Sequence, residues 1–197
     1  MRRMLIPLLS FALAAGMGAC AHRRSVPEPK ASADGQGGRA VRSEWVEVEA
    51  EGGFRFELPE RPEVEHERLH SSAGPIALTL YVLQTEHAAF NVTFARYPKG
   101  FLPARDPAKV LGGARDTAAS RLNGRLVSQT DVHLAAPGGE VYPGLEVVVE
   151  MKGGLLYRAR ILIAGDTLVQ LSHVAGAGTP GELDYRHLVE SLLLVGS

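Results

Sequence analysis

The chain has 197 residues, 45% of them apolar and 6% aromatic, with 21 basic against 22 acidic side chains. That near-even balance excludes a strongly basic nucleic-acid-binding surface, so nucleic acid is not an expected partner. A single cysteine excludes a disulfide framework, and the apolar fraction suits a globular protein with an aliphatic core.

The first element is an export signal. Arg2 and Arg3 precede an apolar run from Met4 to Ala15, and small residues follow at Gly16, Gly18 and Ala19, up to the lone Cys20. The run is too short to span a bilayer and has the secretory pattern. Its end, Met17-Gly18-Ala19-Cys20, resembles the lipobox of bacterial lipoproteins, although Leu is usual where Met17 stands. The resemblance implies that residues 1–19 are removed and that the Cys20 thiol carries a diacylglyceryl group, its new amine being acylated in turn. Two or three acyl chains hold a protein stably, whereas one holds it marginally. The alternative is an ordinary signal peptide cut near Ala19. In the lipoprotein family an Asp after the cysteine retains the protein at the inner membrane, and this chain has Ala21. The expected location is therefore the bacterial envelope, lipid-anchored on the periplasmic side, at the outer rather than the inner membrane.

Residues 20–43 form the lipidated cysteine and a linker. Ala21 to Ser43 holds only Val26 and Val41 as bulky apolar residues, among Pro, Gly, Ser, Ala and mixed charge. Such a segment cannot bury enough surface to offset its ordering entropy. As a flexible tether it would reach roughly 25 Å. Removal of residues 1–19 takes two basic residues and no acidic one, leaving a net charge of −3.

Residues 44–197 are the length of one globular domain. Trp45–Val48 begins a strand, Gly52-Gly53 turns it, and Phe54–Leu58 alternates with period two. Pro59 and Pro62 end that strand. Val64–His70 alternates again, Ser71–Pro75 reads as a loop, and Ile76–Gln84 and Phe90–Arg96 read as strands with a turn at Glu86–Ala88. After an irregular stretch to Arg105, Asp106-Pro107 opens a helix, with Asp as N-cap and Pro at its first position. Val110, Ala114, Ala118 and Leu122 form its buried stripe, and Asn123-Gly124 closes it. Leu126–Leu134 is a strand, Ala135–Gly144 a loop. Leu145–Met151, Leu155–Ala164 and Thr167–Val174 form a meander turned at Lys152-Gly153-Gly154 and Gly165-Asp166. Thr179-Pro180-Gly181-Glu182 reads as a capping box before a helix ending near Glu190, and Leu192–Val195 as an apolar tail. Strands, helix, meander and helix in that order predict the α+β class, an antiparallel β-sheet with helices packed against it.

Trp45, Gly52-Gly53-Phe54, Pro59 and Pro62, the strand Phe90–Tyr97, the long helix leading into Leu126–Gln129, and Tyr185 with Leu188–Leu192 together resemble the PsbP-like group, which shares its fold with the Mog-type proteins. The resemblance implies an α/β/α sandwich and a mostly non-enzymatic role as a docking subunit, adaptor, chaperone or lipoprotein. It implies no cofactor and no catalytic residue.

The residues themselves offer few sites. His66-Glu67-Arg68-Leu69-His70 is a literal H-E-x-x-H, which on a helix would hold zinc with Glu as general base. Here it lies between Pro62 and Gly74-Pro75 in an alternating stretch, and in a strand His66 and His70 would stand ~13 Å apart. A zinc-dependent hydrolase is the alternative function. Lys109, Arg115, Arg121 and Arg125 decorate the polar side of the first helix as a candidate docking patch for an acidic partner, beside Asp116. Arg158 and Arg160 share one sheet face and could line an anion site. No G-x-S-x-G elbow or phosphate loop is present. The primary expectation is a lipid-anchored, non-enzymatic binding or adaptor module for an unidentified envelope protein. It would dock on the exposed sheet face or on the loops Tyr97–Arg105 and Ala135–Gly144. A pocket for a small amphiphile between sheet and helix is a further alternative.

Overall fold

The computed structural model describes residues 45–72 and 74–195. The signal, Cys20 and the tether lie outside the described residues.

Twelve regular elements follow Trp45. Strands β1 (Val46–Glu49) and β2 (Phe54–Leu58) form a hairpin across a 3-10 turn at Glu51–Gly53. Then come β3 (Glu63–Ser71), β4 (Gly74–Gln84) and β5 (Ala88–Arg96), helix α1 (Pro107–Arg121), strands β6 (Arg125–Ala135), β7 (Val141–Glu150), β8 (Leu155–Ala164) and β9 (Thr167–Gly176), helix α2 (Thr179–Glu190) and the short β10 (Leu193–Leu194). The expected single sheet is two sheets. Seven strands run in the order β3-β4-β5-β9-β8-β7-β6, while β1-β2-β10 make a separate three-stranded sheet. All pairings are antiparallel.

Period-two alternation in the central strands builds two cores, one on each face of the large sheet. On β8, Tyr157, Ala159, Ile161 and Ile163 face α1, joined by Leu111, Ala114, Ala118 and Leu122 from that helix and its end. Leu162 of β8 and Val169 and Leu171 of β9 face the other way, towards Phe54, Phe56 and Leu58 of β2 and Tyr185, Leu188 and Val189 of α2. The molecule therefore has three layers: α1, the seven-stranded sheet, and a mixed layer of α2 with the small sheet. Trp45 enters on the mixed layer, its ring stacked on His187 at 4.0 Å and edge-on to Phe90 at 6.0 Å.

Local signals explain most boundaries. Asp106 Oδ1 accepts from Ala108 N at 3.0 Å and Pro107 occupies the first turn, so α1 starts where the sequence places it. It ends at Arg121, and Arg125 belongs to β6, where it pairs with Glu150 at 2.5 Å. α2 begins at Thr179, one residue before the expected first helical position, so its N-cap is Gly178, which has no side chain to bond. Two expected loops are shorter. β3 and β4 pair as far as Ser71 and Gly74. β6 and β7 pair as far as Ala135 and Val141, so Pro143 and Gly144 sit inside a strand.

Gly144 is there because of a close approach, which is what an interior strand glycine often marks. A Cβ at this position would fall 2.4 Å from Leu162 Cδ2 and 2.7 Å from the Ile161 carbonyl oxygen. The side chain could rotate away, but the carbonyl belongs to the β8 backbone. Gly144→Ala is therefore expected to destabilise the domain by about 1–3 kcal/mol, the range for overpacking, and not to stabilise it as removal of a glycine otherwise can. A urea midpoint at or above that of the parent protein would contradict this.

Candidate functional site

The loop between β5 and α1 is rigidly hooked to the β8–β9 turn. Tyr97 N donates to the Asp166 carbonyl at 2.9 Å, and Gly100 N donates to Asp166 Oδ1 at 2.8 Å. Gly100 has φ +78°, which only glycine adopts without strain. Held this way, the Tyr97 and Phe101 rings stack in parallel at 5.4 Å, and the Arg105 guanidinium lies over Phe101 at 4.3 Å. Burial pushes the Tyr97 phenol above its ordinary pKa, so it stays protonated. Leu102 inserts into the core.

This loop, α1 and the β3–β4 end of the sheet enclose an open groove of about 330 Å³. Its floor is apolar: Ile76, Leu102, Val110 and Leu168. Arg105 and Lys109 stand in its lining, which among the described residues contains no acidic side chain. The concavity has two adjacent characters, an apolar floor and an unbalanced positive edge.

A second groove, of about 410 Å³, lies on the opposite face of the sheet, beneath α2. Arg158 and Arg160 line it from β8, with Tyr185 and Glu190 from the helix. Arg160 donates to Glu146 from Nη2 at 2.9 Å and to the Val189 carbonyl from Nη1 at 3.1 Å.

No protein-family model and no curated protein matches the chain. Among solved structures, the solution structure of cyanobacterial PsbP (CyanoP) from Synechocystis sp. PCC 6803 is similar over 82% of this chain and 98% of that one, with TM-score 0.51 and 12% sequence identity. The fold is PsbP-like. A Pseudomonas aeruginosa protein of unknown function gives TM-score 0.32 at 12% identity, over 73% of this chain and 87% of the other. At such identities the likeness concerns fold, and chemistry has to be argued from this chain's residues.

The PsbP-like fold does not bring the residues of the expected docking patch together. Lys109 lines the α1 groove. Arg115 is turned to Asp116 at 2.7 Å and to Gln129, and Arg121 at the helix end is likewise engaged. Arg158 and Arg160 lie across the sheet from α1. They do share one face, as alternation requires, but α2 covers it, and so the expected exposed sheet face is not where they stand. The H-e-x-x-H segment is strand β3. His66 and His70 face the mixed layer, with His66 Nδ1 3.2 Å from Thr79 Oγ1, while Glu67 pairs opposite Leu78 and points to the α1 side. A strand puts the two imidazoles about 13 Å apart and the carboxylate on the other face, so the three cannot meet at one ion. Among the described residues no three His, Cys, Asp or Glu side chains come together as a metal site. No described helix is long and apolar enough to cross a membrane.

The sequence pointed to the loop Tyr97–Arg105 but not to Arg105 itself. The usable signal was the Phe101–Arg105 spacing of four beside the helix start, which places a cation above a ring once the loop turns helically.

Proposed function

We propose that this chain is an envelope lipoprotein, held by lipid on Cys20 at the periplasmic side of the outer membrane, whose domain is a non-enzymatic binding module. One observation carries the binding role: the α1 groove joins an apolar floor to Arg105 and Lys109 with no acidic side chain in its lining. Arg105 is also fixed in place by its seat on Phe101, which lowers the entropy a contact would cost. That arrangement suits an envelope protein offering an apolar side chain next to carboxylates. The same pairing of floor and charge supports a second reading, in which the groove takes the head and first carbons of a small anionic amphiphile.

The test is photocrosslinking in membranes, with the full chain in place and the probe at Thr117 on the groove wall. One discrete protein adduct is expected, reduced at least tenfold by the double substitution Arg105→Glu and Lys109→Glu. A bound amphiphile recovered by solvent extraction of the purified protein, with no protein adduct, would favour the second reading. An adduct pattern unchanged by the charge reversal would end both. For the anchor, Cys20→Ser is expected to release the protein from the membrane fraction or to block removal of residues 1–19. A variant that is still processed and membrane-bound would refute lipidation.

A further inference from the structure

Among the described residues Arg158 is a buried cation with no ion pair. Its side chain sits in the middle of β8, between Val148 of β7 and His173 of β9, and the residue is only 8% exposed. Among the described residues, Nη1 is fully buried and bonds to nothing, and no carboxylate forms an ion pair with the guanidinium. Transfer of an unpaired charge out of water is strongly unfavourable, so an arginine in this state implies a missing partner. The neighbouring arginines lack no partner. Arg160 holds Glu146, and Arg186 holds Glu182 at 3.2 Å. His173 does not serve as the partner: an imidazole is never negative, and neither of its buried ring nitrogens is bonded among the described residues.

A second donor stands nearby. The Tyr185 hydroxyl on α2 is buried and lies towards Glu146 without reaching hydrogen-bond geometry. Burial pushes its pKa well above the ordinary tyrosine value, so it is an O–H donor at any physiological pH. Arg158 and Tyr185 both line the groove beneath α2, and 410 Å³ is ample for a small acid.

We propose that the groove beneath α2 binds a small carboxylic acid, its carboxylate held by the Arg158 guanidinium and the Tyr185 hydroxyl. A planar guanidinium matches a carboxylate in shape and charge. Three carboxylates also line the groove: Glu146 and Glu182 are held by Arg160 and Arg186, and among the described residues Glu190 forms no ion pair with Arg158. A multiply charged anion would meet those carboxylates, whereas a single negative charge compensates Arg158 alone. The site therefore selects a monocarboxylate over inorganic phosphate. It is separate from the α1 groove and does not depend on how that groove is used.

The test uses the purified full chain, with the Arg158 side-chain N–H resonances followed by nuclear magnetic resonance during titration with acetate, butyrate or inorganic phosphate. Saturable shifts are expected with the monocarboxylates and at least tenfold weaker binding with phosphate. Arg158→Met is expected to abolish the carboxylate response in a thermal melt while leaving the ligand-free melting temperature equal or higher, because an unpaired buried charge has been removed. A fall in that temperature with an unchanged carboxylate response would show Arg158 to be structural and overturn the proposal. Tyr185→Phe is the second arm should Arg158→Met not fold. It is expected to weaken carboxylate binding several-fold, and unchanged binding there would overturn the role of the hydroxyl. No shift at Arg158 with any of the three anions would overturn the site altogether.

Discussion

Phe56→Ala is expected to lower the unfolding free energy by about 3–5 kcal/mol, the cost of truncating a fully buried phenylalanine. Domains of this size are stable by only about 5–15 kcal/mol, so the change would bring this one close to unfolding at ambient temperature. Phe56 is 0% exposed and sits at the centre of β2. Its ring is edge-on to Tyr81 of β4 at 5.3 Å and tilted against Phe94 of β5 at 6.3 Å. The loss would exceed that of a generic core residue in its consequence. The small sheet shares no strand pairing with the large one. What joins them is mainly side-chain packing, supplied on β2 by Phe54, Phe56 and Leu58, with Glu51 in the β1–β2 turn also accepting from Thr79 of β4 and Arg96 of β5. Urea denaturation measures the effect. Arg55→Ala on the same strand is the control, because Arg55 faces solvent in ion pairs with Glu49 at 2.9 Å and Glu47 at 3.9 Å, which are worth about 0–1 kcal/mol. Equal losses in the two variants would mean that the aromatic cluster does not hold the sheets together.

Acid is expected to weaken the fold through His173. The ring is 0% exposed, 4.7 Å from the Phe90 ring. Burial, with the Arg158 charge as a second cause, holds its pKa down at about 4, against an ordinary value of 6.5. The folded protein therefore refuses a proton that the unfolded chain accepts between those two values. Above pH 6.5 both states are neutral at this residue and it contributes no pH dependence. As pH falls from 6.5 towards 4, stability drops by up to about 1.4 kcal/mol per unit, and below 4 this contribution is constant. Over the whole window the loss is about 3 kcal/mol. Denaturation of the parent and of His173→Leu at pH 7.5 and 4.5 isolates it, since the other titratable groups, carboxylates and histidines, are common to both. The parent is expected to lose about 2–3 kcal/mol more than the variant over that interval. Equal losses would place the acid sensitivity elsewhere.

Much of this architecture is written in local patterns. The alternation of Phe54-Arg55-Phe56-Glu57-Leu58 gives both a strand and its buried face, because one polar and one apolar side must exist wherever a sheet has a single core side. Asp106-Pro107 fixes the start of α1 because the cap bond spans only two residues. What was not legible depends on distant partners. Whether β2 joins the large sheet or makes its own is decided by β10, 135 residues or more further along the chain. Pro143 and Gly144 look like loop residues by type, yet the backbone of β8 leaves room only for glycine at 144. The spacing of Arg158 and Arg160 correctly puts them on one face, but it carries no information on what covers that face. The cover is α2, whose Tyr185 and Val189 turn an expected open surface into a groove. For the H-E-x-x-H stretch the decisive fact is period: two residues per repeat sends Glu67 to the face opposite His66 and His70.

The entry of the chain beside His187 has a mechanical consequence. If the protein is tethered as proposed, a pull from the membrane enters the described structure at Trp45 and loads β1, which among the described residues pairs with β2 alone. The force is received by the mixed layer, whose hold on the rest is lateral packing. The α1 groove lies beyond seven cross-linked strands, outside the line of load. Strain would loosen the small sheet first and leave the recognition surface in shape. On that proposal the anchor would be tugged without altering the α1 groove, the α2 layer yielding between the two.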